Sequence, residues 1–219
     1  LEGKWKKERF HGDDEITLAK RDKSGYEDLI REAEGRFRSD YNDTMWENKY
    51  LPSVENKMNE YQKRPEYYED GVWYRRSFNV PENLKGQRAV IKFHSVNYVA
   101  DVWINGSYAG YHEGGYTPFA FDITPFIRFR EKNIIAIRVD NPAWGKRKDI
   151  VPFTKVDWFN YTGVIHDLYI EFLPSVSISR VDIVPKSTEG DMDLKVVLWN
   201  PEKKISKVKI DFSVYRACI

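Results

Sequence analysis

YVADVWINGSYAGYHEGGYTPFAFDIT, residues 98–124, is the stretch that decides the fold of this chain. Apolar side chains alternate along residues 98–104, and a period of two is typical of a half-buried β-strand. Asn105-Gly106 follows directly, and this dipeptide tolerates the positive φ angles of a tight type I′ turn. The return strand over residues 107–112 leads to Gly114-Gly115, which indicates a bulge or a close approach of another group to the backbone. The stretch therefore predicts an antiparallel hairpin within a β-domain.

The composition limits the size of the core and the classes of partner. The 219 residues suffice for one large β-domain, or for one domain and part of another. With 41% hydrophobic and 15% aromatic residues, the chain can bury a sizeable core. Lys and Arg number 35 against 34 Asp and Glu, and this balance gives no reason to expect nucleic acid or an anionic membrane as the main partner.

Cysteine usage and hydropathy bear on the compartment. Cys218 is the single cysteine, so an intramolecular disulfide is impossible. No apolar run approaches the ~18 residues of a membrane span, and the first residues lack the apolar core of a signal peptide. These features slightly favour a cytoplasmic location, although a trimmed secreted protein would begin in the same way.

The first 70 residues are predicted to contain a strand, a helix and a polar loop region on the surface of the β-domain. Residues 1–10 are predicted to form a short strand that carries Trp5. Residues 26–37 place apolar side chains at helical spacing among good helix formers and predict a short helix. Residues 38–70 are polar and aromatic, and we expect loops there, with one helical turn near residues 54–61.

From Gly71 onward, β-patterns dominate the sequence. Short alternating or apolar runs, bounded by turn residues, occur at 72–78, 89–93, 96–104, 134–140 and 168–172. Many short strands with few helices are typical of an all-β sandwich. After Pro174 the composition shifts; two strand pieces are predicted within residues 176–183, and two further strands at 194–199 and 208–214. Because an immunoglobulin-type sandwich needs about seven strands, we expect this second part to be truncated and the chain to be the N-terminal part of a longer protein.

Five segments match a known enzyme family in order and spacing: LEGKW at 1–5, DGVWYRRSF at 70–78, VWING at 102–106, HEGGYTPFAFDIT at 112–124 and DWFNYTG at 157–163. Together they resemble the N-terminal part of glycoside hydrolase family 2, the family of β-galactosidases, β-glucuronidases and β-mannosidases. The resemblance is close over residues 71–174 and scattered before them. HEGGYTPF together with DWFNYTG is most similar to the β-glucuronidase branch.

The resemblance implies a domain order and a division of labour. It implies a galactose-binding-like jelly-roll "sugar-binding" domain over residues 1–174, with a short N-terminal helical segment. The first strands of an immunoglobulin-like domain would follow over 175–219, and a catalytic (β/α)8 barrel of the same polypeptide would come next. Family members hydrolyse O-glycosidic bonds of β-glycosides with retention, using two barrel glutamates ~5–5.5 Å apart. Asn59-Glu60 matches the acid/base dipeptide by chance, so no catalytic residue is expected in this chain.

The resemblance also implies a substrate contact in the full-length protein. In relatives resembling β-glucuronidase, the aspartate of the DWFNYTG loop reaches the sugar in the barrel, and the matching residue here is Asp157. An ionised carboxylate makes strong, directional hydrogen bonds with hydroxyl groups. The alternative is that Asp157 braces its own loop, as aspartates in turns often do. Trp158 and Asn160 are the neighbouring candidates, and Asn160 is expected mainly to hold the loop backbone.

Aromatic and histidine side chains near this loop admit two interpretations each. Flat rings suit the CH faces of sugars, but packing of the loop is the favoured role for a sequence cluster of Trp144, Trp158, Phe159 and Tyr161. His112 and Glu113 are only two candidate ligands, and two ligands do not make a metal site. His166 stands where the family usually has arginine, and we expect it to be partly buried with its hydrogen bonds satisfied. No metal or cofactor is predicted.

Three functions remain open from the sequence. The chain can be the non-catalytic N-terminal region of a family 2 enzyme, a stand-alone carbohydrate-binding module, or a structural domain. The unfinished second sandwich favours the first interpretation. The sugar stays open, because the resemblance implies that barrel loops select it.

Overall fold

The computed structural model describes residues 1–143, 145, 159–201 and 207–215. The chain divides into two compact units, residues 1–173 and residues 174–219. The helices of the first unit are α1 (Asp14–Thr17) and α2 (Lys23–Ala33). Its strands are β1 (Gly3–Phe10), β2 (Glu47–Leu51), β3 (Ser53–Val54), β4 (Met58–Asn59), β5 (Arg64–Pro65), β6 (Gly71–Asn79), β7 (Arg88–Phe93), β8 (Val96–Asn97), β9 (Val99–Ile104), β10 (Ser107–Glu113), β11 (Phe119–Asp122), β12 (Lys132–Asp140), β13 (Gly163–Val164) and β14 (Leu168–Leu173).

Two antiparallel sheets enclose the main core of the first unit. The larger has the strand order β10-β9-β12-β6-β1-β2, and the smaller has the order β11-β7-β14. Side chains from both sheets belong to one buried cluster, which includes Val102, Ile137, Ile91 and Phe93. This arrangement is a β-sandwich, so the predicted all-β architecture is confirmed. A short sheet of order β3-β13-β8 adds the strands on which the candidate site depends.

The predicted hairpin is present, but its surroundings differ from the prediction. Ser107 pairs with Ile104, and Asn105 and Gly106 both have positive φ, as a type I′ turn requires. The bulge in the return strand lies between Tyr108 and Gly110 rather than at Gly114-Gly115. The hairpin strand β9 is buried on both faces rather than half-buried.

The helical segment explains why β9 is buried on both faces. Leu29 and Ala33 of α2 pack with Trp73, Trp103 and Ala136 on the outer face of the large sheet. The helix begins earlier than residues 26–37 predict because the carboxylate of Asp22 accepts a hydrogen bond from Gly25 N at 3.0 Å. It ends at Ala33 because Glu34 and Gly35 have positive φ.

Buried charges fasten the helices to the sheet. Arg21 donates two hydrogen bonds to the carboxylate of Asp101, at 2.8 and 2.9 Å. Arg138, fully buried, donates to Glu32 at 2.7 Å and to Asp140 at 3.3 Å. Burial raises the pKa of both the Asp140 and the Glu32 carboxyl groups against the opposing effect of Arg138. Charges so far from water are tolerated only when they are paired.

The segment between α2 and β6 is more ordered than predicted. Strand β2 pairs with β1, with Trp5 opposite Lys49, and forms the edge of the large sheet. The helical turn predicted near residues 54–61 is wrong, because β3 and β4 occupy that stretch. Val54 pairs with Gly163 instead, and this long-range pairing leaves no local signal in the sequence.

The second unit contains the hairpin β15 (Ser177–Pro185) and β16 (Met192–Trp199). Strand β15 is continuous, whereas the sequence predicts two strand pieces there. Its pairing register with β16 shifts between Ile178 and Arg180. Residues 208–214, predicted to be a strand, form no regular element, since they pair with no neighbour among the described residues. The immunoglobulin-like assignment of this unit stays a prediction. No helix in the described parts of the chain combines the length and apolar character needed to cross a bilayer.

Candidate functional site

The site lies where the DWFNYTG segment returns to the sandwich. Asp157, Trp158 and Trp144 lie outside the described residues. Residues 159–163 are described, and they lead directly into β13. Asn160 is 3% exposed and therefore belongs to the buried base of this segment.

Asparagine side chains hold the base of the segment. Asn97 Nδ2 donates to Asn160 Oδ1 at 2.7 Å and also to the carbonyl of Tyr161. Asn160 Nδ2 donates to Asn141 Oδ1 at 3.3 Å. Asn141 Nδ2 in turn donates to Thr162 Oγ1 at 2.7 Å. Both ends of the Asn160 amide therefore have protein partners, as a buried amide requires.

Strand pairing places Asn97 opposite this segment. Asn97 in β8 pairs with Gly163 in β13, so its side chain reaches the residues that precede Gly163. Gly115 packs directly against the Asn97 side chain, since a Cβ on Gly115 would lie 2.0 Å from Asn97 Oδ1. Ser95 Oγ donates to the carbonyl of Gly115 at 2.7 Å. The predicted close approach at Gly114-Gly115 is thus an approach of the Asn97 side chain to Gly115.

The chain between β3 and β6 clamps Thr162 from a third direction. Thr162 N donates to Asn56 Oδ1 at 2.8 Å, and its Oγ1 donates to the carbonyl of Tyr68 at 2.6 Å. Glu55 N donates to the Thr162 carbonyl at 2.8 Å. Hydrogen bonds from both sides therefore fix the position and orientation of residues 160–163.

Glu55 is a buried carboxylate beneath the clamp. Tyr74 Oη donates to it at 2.7 Å and Lys7 Nζ at 2.8 Å, while Lys49 Nζ lies 3.5 Å away. Burial alone would raise the pKa of Glu55, but the hydrogen bonds from Lys7 and Tyr74 and the charge of Lys49 hold that pKa below its ordinary value. Burial and the neighbouring carboxylate raise the pKa of Tyr74, so its phenol remains a donor. Glu55 is thus ionised and fully engaged at neutral pH.

An aromatic cluster borders the segment on its exposed side. Phe159 stacks on Tyr67 with a ring-centroid distance of 5.0 Å and an interplanar angle of 20°. Tyr161 tilts against Phe159 at 4.9 Å, and Tyr116 Oη donates to the Phe159 carbonyl at 3.3 Å. Tyr67 is 60% exposed and Tyr116 is 50% exposed. Both tyrosines are therefore partly accessible to solvent beside the base of the segment.

A cleft of about 450 Å³ lies next to this cluster. The rings of Trp46, Tyr67 and Tyr68 form part of its wall, and most of the rest is charged, with side chains of Lys7, Glu8, Arg9, Glu47, Lys57 and Glu66. The cleft is therefore more polar than the usual apolar small-molecule pocket, with aromatic rings on one part of its wall.

Other predicted candidates have local roles in the structure. Asn59 Oδ1 accepts hydrogen bonds from Tyr61 N and Gln62 N, so it stabilises a turn. His112 stacks on Phe119 at 4.3 Å and lies 2.9 Å from Thr117 Oγ1, and burial lowers the pKa of its imidazole. The prediction of a partly buried His166 is wrong: its side chain is 62% exposed, because the turn before β14 points it outward.

Sequence reasoning missed several residues that build the site. These are Glu55, Tyr67, Asn97, Tyr116 and Asn141. Asn141 carried a weak signal, since an asparagine directly before Pro142 at the end of a strand marks a turn. The others approach residues 159–163 only through long-range pairing.

Comparison with known proteins agrees with this architecture. Residues 1–174 match the description "Glycosyl hydrolases family 2, sugar binding domain". The chain belongs to glycoside hydrolase family 2. This family 2 chain is 32% identical over 177 residues to a β-galactosidase of Thermoanaerobacter pseudethanolicus, covering 80% of the chain and 23% of the relative. It is 39% identical over 109 residues to a β-glucuronidase of Formosa agariphila, covering 46% of the chain and 11% of the relative.

Solved structures of family 2 proteins share the fold. A β-glucuronidase from an uncultured Clostridium species superposes with a TM-score of 0.67 at 26% identity, covering 93% of this chain and 34% of that one. The β-glucuronidase of Ruminococcus gnavus superposes with a TM-score of 0.65 at 21% identity, covering 90% and 32%. The present chain thus corresponds to the sugar-binding domain and adjoining residues, about a quarter or less of the length of its curated relatives.

Proposed function

We propose that the full-length protein is a retaining β-glycosidase of the β-glucuronidase/β-galactosidase type, and that this chain is its non-catalytic N-terminal region. The chain would support the catalytic barrel of the same polypeptide and contribute Asp157 to the sugar site. The match of residues 1–174 to the family's sugar-binding domain supports the first part. The anchored base of the DWFNYTG segment supports the second.

The hydrogen bond from Asn97 to Asn160 is the observation that carries the substrate-contact proposal. A loop that reaches into another domain must hold its tip without support from its own sheet. Hydrogen bonds from three directions fix residues 160–163, and the conformational entropy of ordering these residues is lost on folding rather than on binding. Asp157 lies three residues before Asn160, so a carboxylate at that position would start from a fixed base. Preorganisation of this kind lowers the entropy lost on binding.

The separate roles of the barrel and of this chain follow from the mechanism of a retaining glycosidase. Two carboxyl groups ~5–5.5 Å apart form and then hydrolyse a glycosyl-enzyme intermediate. In the proposed assembly both belong to the barrel, and Asp157 only orients the sugar by accepting hydrogen bonds from its hydroxyl groups. Such a contact contributes to catalysis when it strengthens in the transition state.

The test compares the 219-residue chain with the full-length protein on 4-nitrophenyl β-glucuronide and 4-nitrophenyl β-galactoside. The full-length protein should hydrolyse at least one of them, and NMR of the first-formed sugar should show the β-anomer. The 219-residue chain should hydrolyse neither. Hydrolysis by the short chain, or an inverted anomer from the full-length protein, would overturn the proposal.

The cleft beside Tyr67 favours a second candidate function, carbohydrate binding by the chain itself. Ring faces of tyrosines stack on the CH faces of sugars, and Tyr67 lines the cleft beside charged groups that can bind hydroxyl groups. Calorimetry with glucuronides, galactosides and plant oligosaccharides tests it. Saturable binding that is lost in Tyr67→Ala and kept in Tyr50→Ala, an exposed tyrosine outside the cleft, would support this function. Absence of binding would leave the supporting role alone.

A further inference from the structure

The turn between β7 and β8 and the turn between β13 and β14 lie at one end of the short β3-β13-β8 sheet. They bring three potential metal-binding side chains together. His94 follows β7, and His166 with Asp167 lies between β13 and β14. One ligand atom from each residue lies within 4.8 Å of the others. Both histidines are exposed, and Asp167 is partly buried.

Backbone hydrogen bonds fix the two turns against each other. His94 N donates to the Asp167 carbonyl at 3.0 Å. Ile165 N and His166 N both donate to the Ser95 carbonyl, at 3.0 and 3.3 Å. The Cα positions of the three residues are therefore set by the fold, and only side-chain rotation remains free. A site on such a rigid base loses little entropy when a ligand binds.

The side chains present suitable lone pairs. His166 Nδ1 accepts a hydrogen bond from Asp167 N at 2.8 Å and lies 3.6 Å from Asp167 Oδ1. Nδ1 of this ring thus faces the Asp167 carboxylate. The His94 ring lies 5.5 Å from the His166 ring, and its other neighbour is the edge-on ring of Tyr169. Within the described residues, Asp167 has no ion pair with a lysine or arginine.

We propose that His94, His166 and Asp167 form a surface site for a divalent transition-metal ion, with Zn²⁺ as the best fit. Two imidazoles and one carboxylate are a common zinc set, with water in the fourth position. Ligands around tetrahedral zinc, at 2.0–2.1 Å, are about 3.4 Å apart. Rotation of the exposed side chains closes the cluster to that spacing, and the ion takes the Nδ1 lone pair now used by Asp167 N. Nickel and copper share this preference, whereas Mg²⁺ prefers oxygen ligands.

Binding of the ion would link the β7–β8 turn to the β13–β14 turn. Asn97 and Gly163, which support the candidate segment, lie on strands next to these turns. An ion that binds only the folded chain raises its stability by linkage. The site would therefore stabilise the short β3-β13-β8 sheet, which also supports the DWFNYTG segment.

Calorimetry of the 219-residue chain with ZnCl₂ tests the site directly. All variants carry Cys218→Ser, which removes the single thiol as a competing ligand. The parent should bind one zinc ion saturably, and MgCl₂ at the same concentrations should give no signal. His94→Ala and His166→Ala should each weaken zinc binding at least about 10-fold, and Asp167→Asn should weaken it as well.

His11→Ala is the matched control, because His11 also lies beside an aspartate, with Nδ1 3.3 Å from Asp70 Oδ1. It should bind zinc like the parent. Thermal unfolding gives an independent readout: zinc should raise the Tm of the parent and of His11→Ala, but not of His94→Ala or His166→Ala. The proposal is overturned if the parent binds no zinc, if both histidine variants retain parental affinity, or if His11→Ala loses it. Circular dichroism identifies any variant that fails to fold, and the other histidine variant then decides.

Discussion

Asn97 Nδ2 donates a hydrogen bond of 2.7 Å to Asn160 Oδ1 across 63 residues of sequence, with both side chains buried. This bond joins strand β8 of the short β3-β13-β8 sheet to the segment that the family resemblance links with sugar binding. Because Asn97 also donates to the Tyr161 carbonyl, it fixes side chain and backbone together. The rigidity of the segment therefore depends on a residue that lies in a different strand.

Removal of the Asn97 amide should destabilise the first unit. Asn97→Ala leaves Asn160 Oδ1 and the Tyr161 carbonyl without their donor, and each unsatisfied buried group costs about 1–3 kcal/mol. Urea unfolding of the 219-residue chain should show a lower midpoint with an unchanged m-value. Asn48→Ala, at an exposed asparagine of β2, should leave the midpoint unchanged. An equal effect of both substitutions would refute the role assigned to Asn97.

Gly115→Ala should be destabilising because of Asn97. The new Cβ would lie 2.0 Å from Asn97 Oδ1 and 2.7 Å from its Cγ, and the bonded amide has no free space to move into. Overpacking of this kind costs about 1–3 kcal/mol. In the Asn97→Ala background the obstructing atoms are gone, so the same glycine substitution should cost less. A double-mutant cycle by urea unfolding measures this coupling, and strictly additive effects would argue against the contact.

Glu55 should make stability depend on pH in the acidic range. Its folded-state pKa is lowered, so the unfolded chain binds its proton more tightly than the folded chain does. The resulting stabilisation is complete above the unfolded-state pKa and is lost as the pH falls through the lowered folded-state pKa. Glu55→Gln should therefore cost about 1.5–3 kcal/mol at pH 7, and the difference from wild type should shrink as the pH falls below about 4.5.

The difference in unfolding free energy between wild type and Glu55→Gln separates the contribution of Glu55 from those of the other titrating groups. Asp140 and Glu32 have raised pKa values in the folded chain, but both are present in wild type and variant and cancel in the difference. Urea unfolding at several pH values provides the measurement. A difference that stays constant from pH 7 down to the acid limit would mean that the Glu55 charge does not stabilise the fold.

Arg138→Leu should be the most damaging of the charge substitutions. It leaves the carboxylates of Glu32, Asp101 and Asp140 without their common cation in a buried site. Breaking a buried pair by removing one partner costs about 3–5 kcal/mol. Arg130→Leu is the matched control, since Arg130 is 77% exposed and its pair with Glu82 is long. Thermal unfolding should show a large loss for the first substitution and a negligible one for the second.

Local patterns predicted the centre of the fold well. The alternation over residues 98–104 and the Asn105-Gly106 turn gave the hairpin, and the helix before the sandwich was found with its start displaced by three residues. What the patterns missed depends on distant partners. The outer face of β9 is buried only because α2 packs on it, and β3 forms because Val54 pairs with the distant Gly163.

The candidate site was predictable only in part, for the same physical reason. The DWFNYTG motif marked the segment, and Asn160 lies within it. Asn97, Asn141 and Glu55 act on that segment from distant parts of the chain, and their roles appear only when strand pairing brings those parts together. A buried asparagine or glutamate in a short polar stretch has no distinctive pattern in a single sequence.

The most direct test of the account is the effect of Asp157→Ala on kcat/KM in the full-length protein, measured on its preferred 4-nitrophenyl β-glycoside. Asp40→Ala, at an exposed aspartate paired with Arg38, is the control. If Asp157 binds the sugar, kcat/KM should fall at least about 10-fold, about 1.4 kcal/mol of lost transition-state binding, while the control stays at the wild-type value and both proteins remain folded. An unchanged kcat/KM in a folded Asp157→Ala protein would contradict the account.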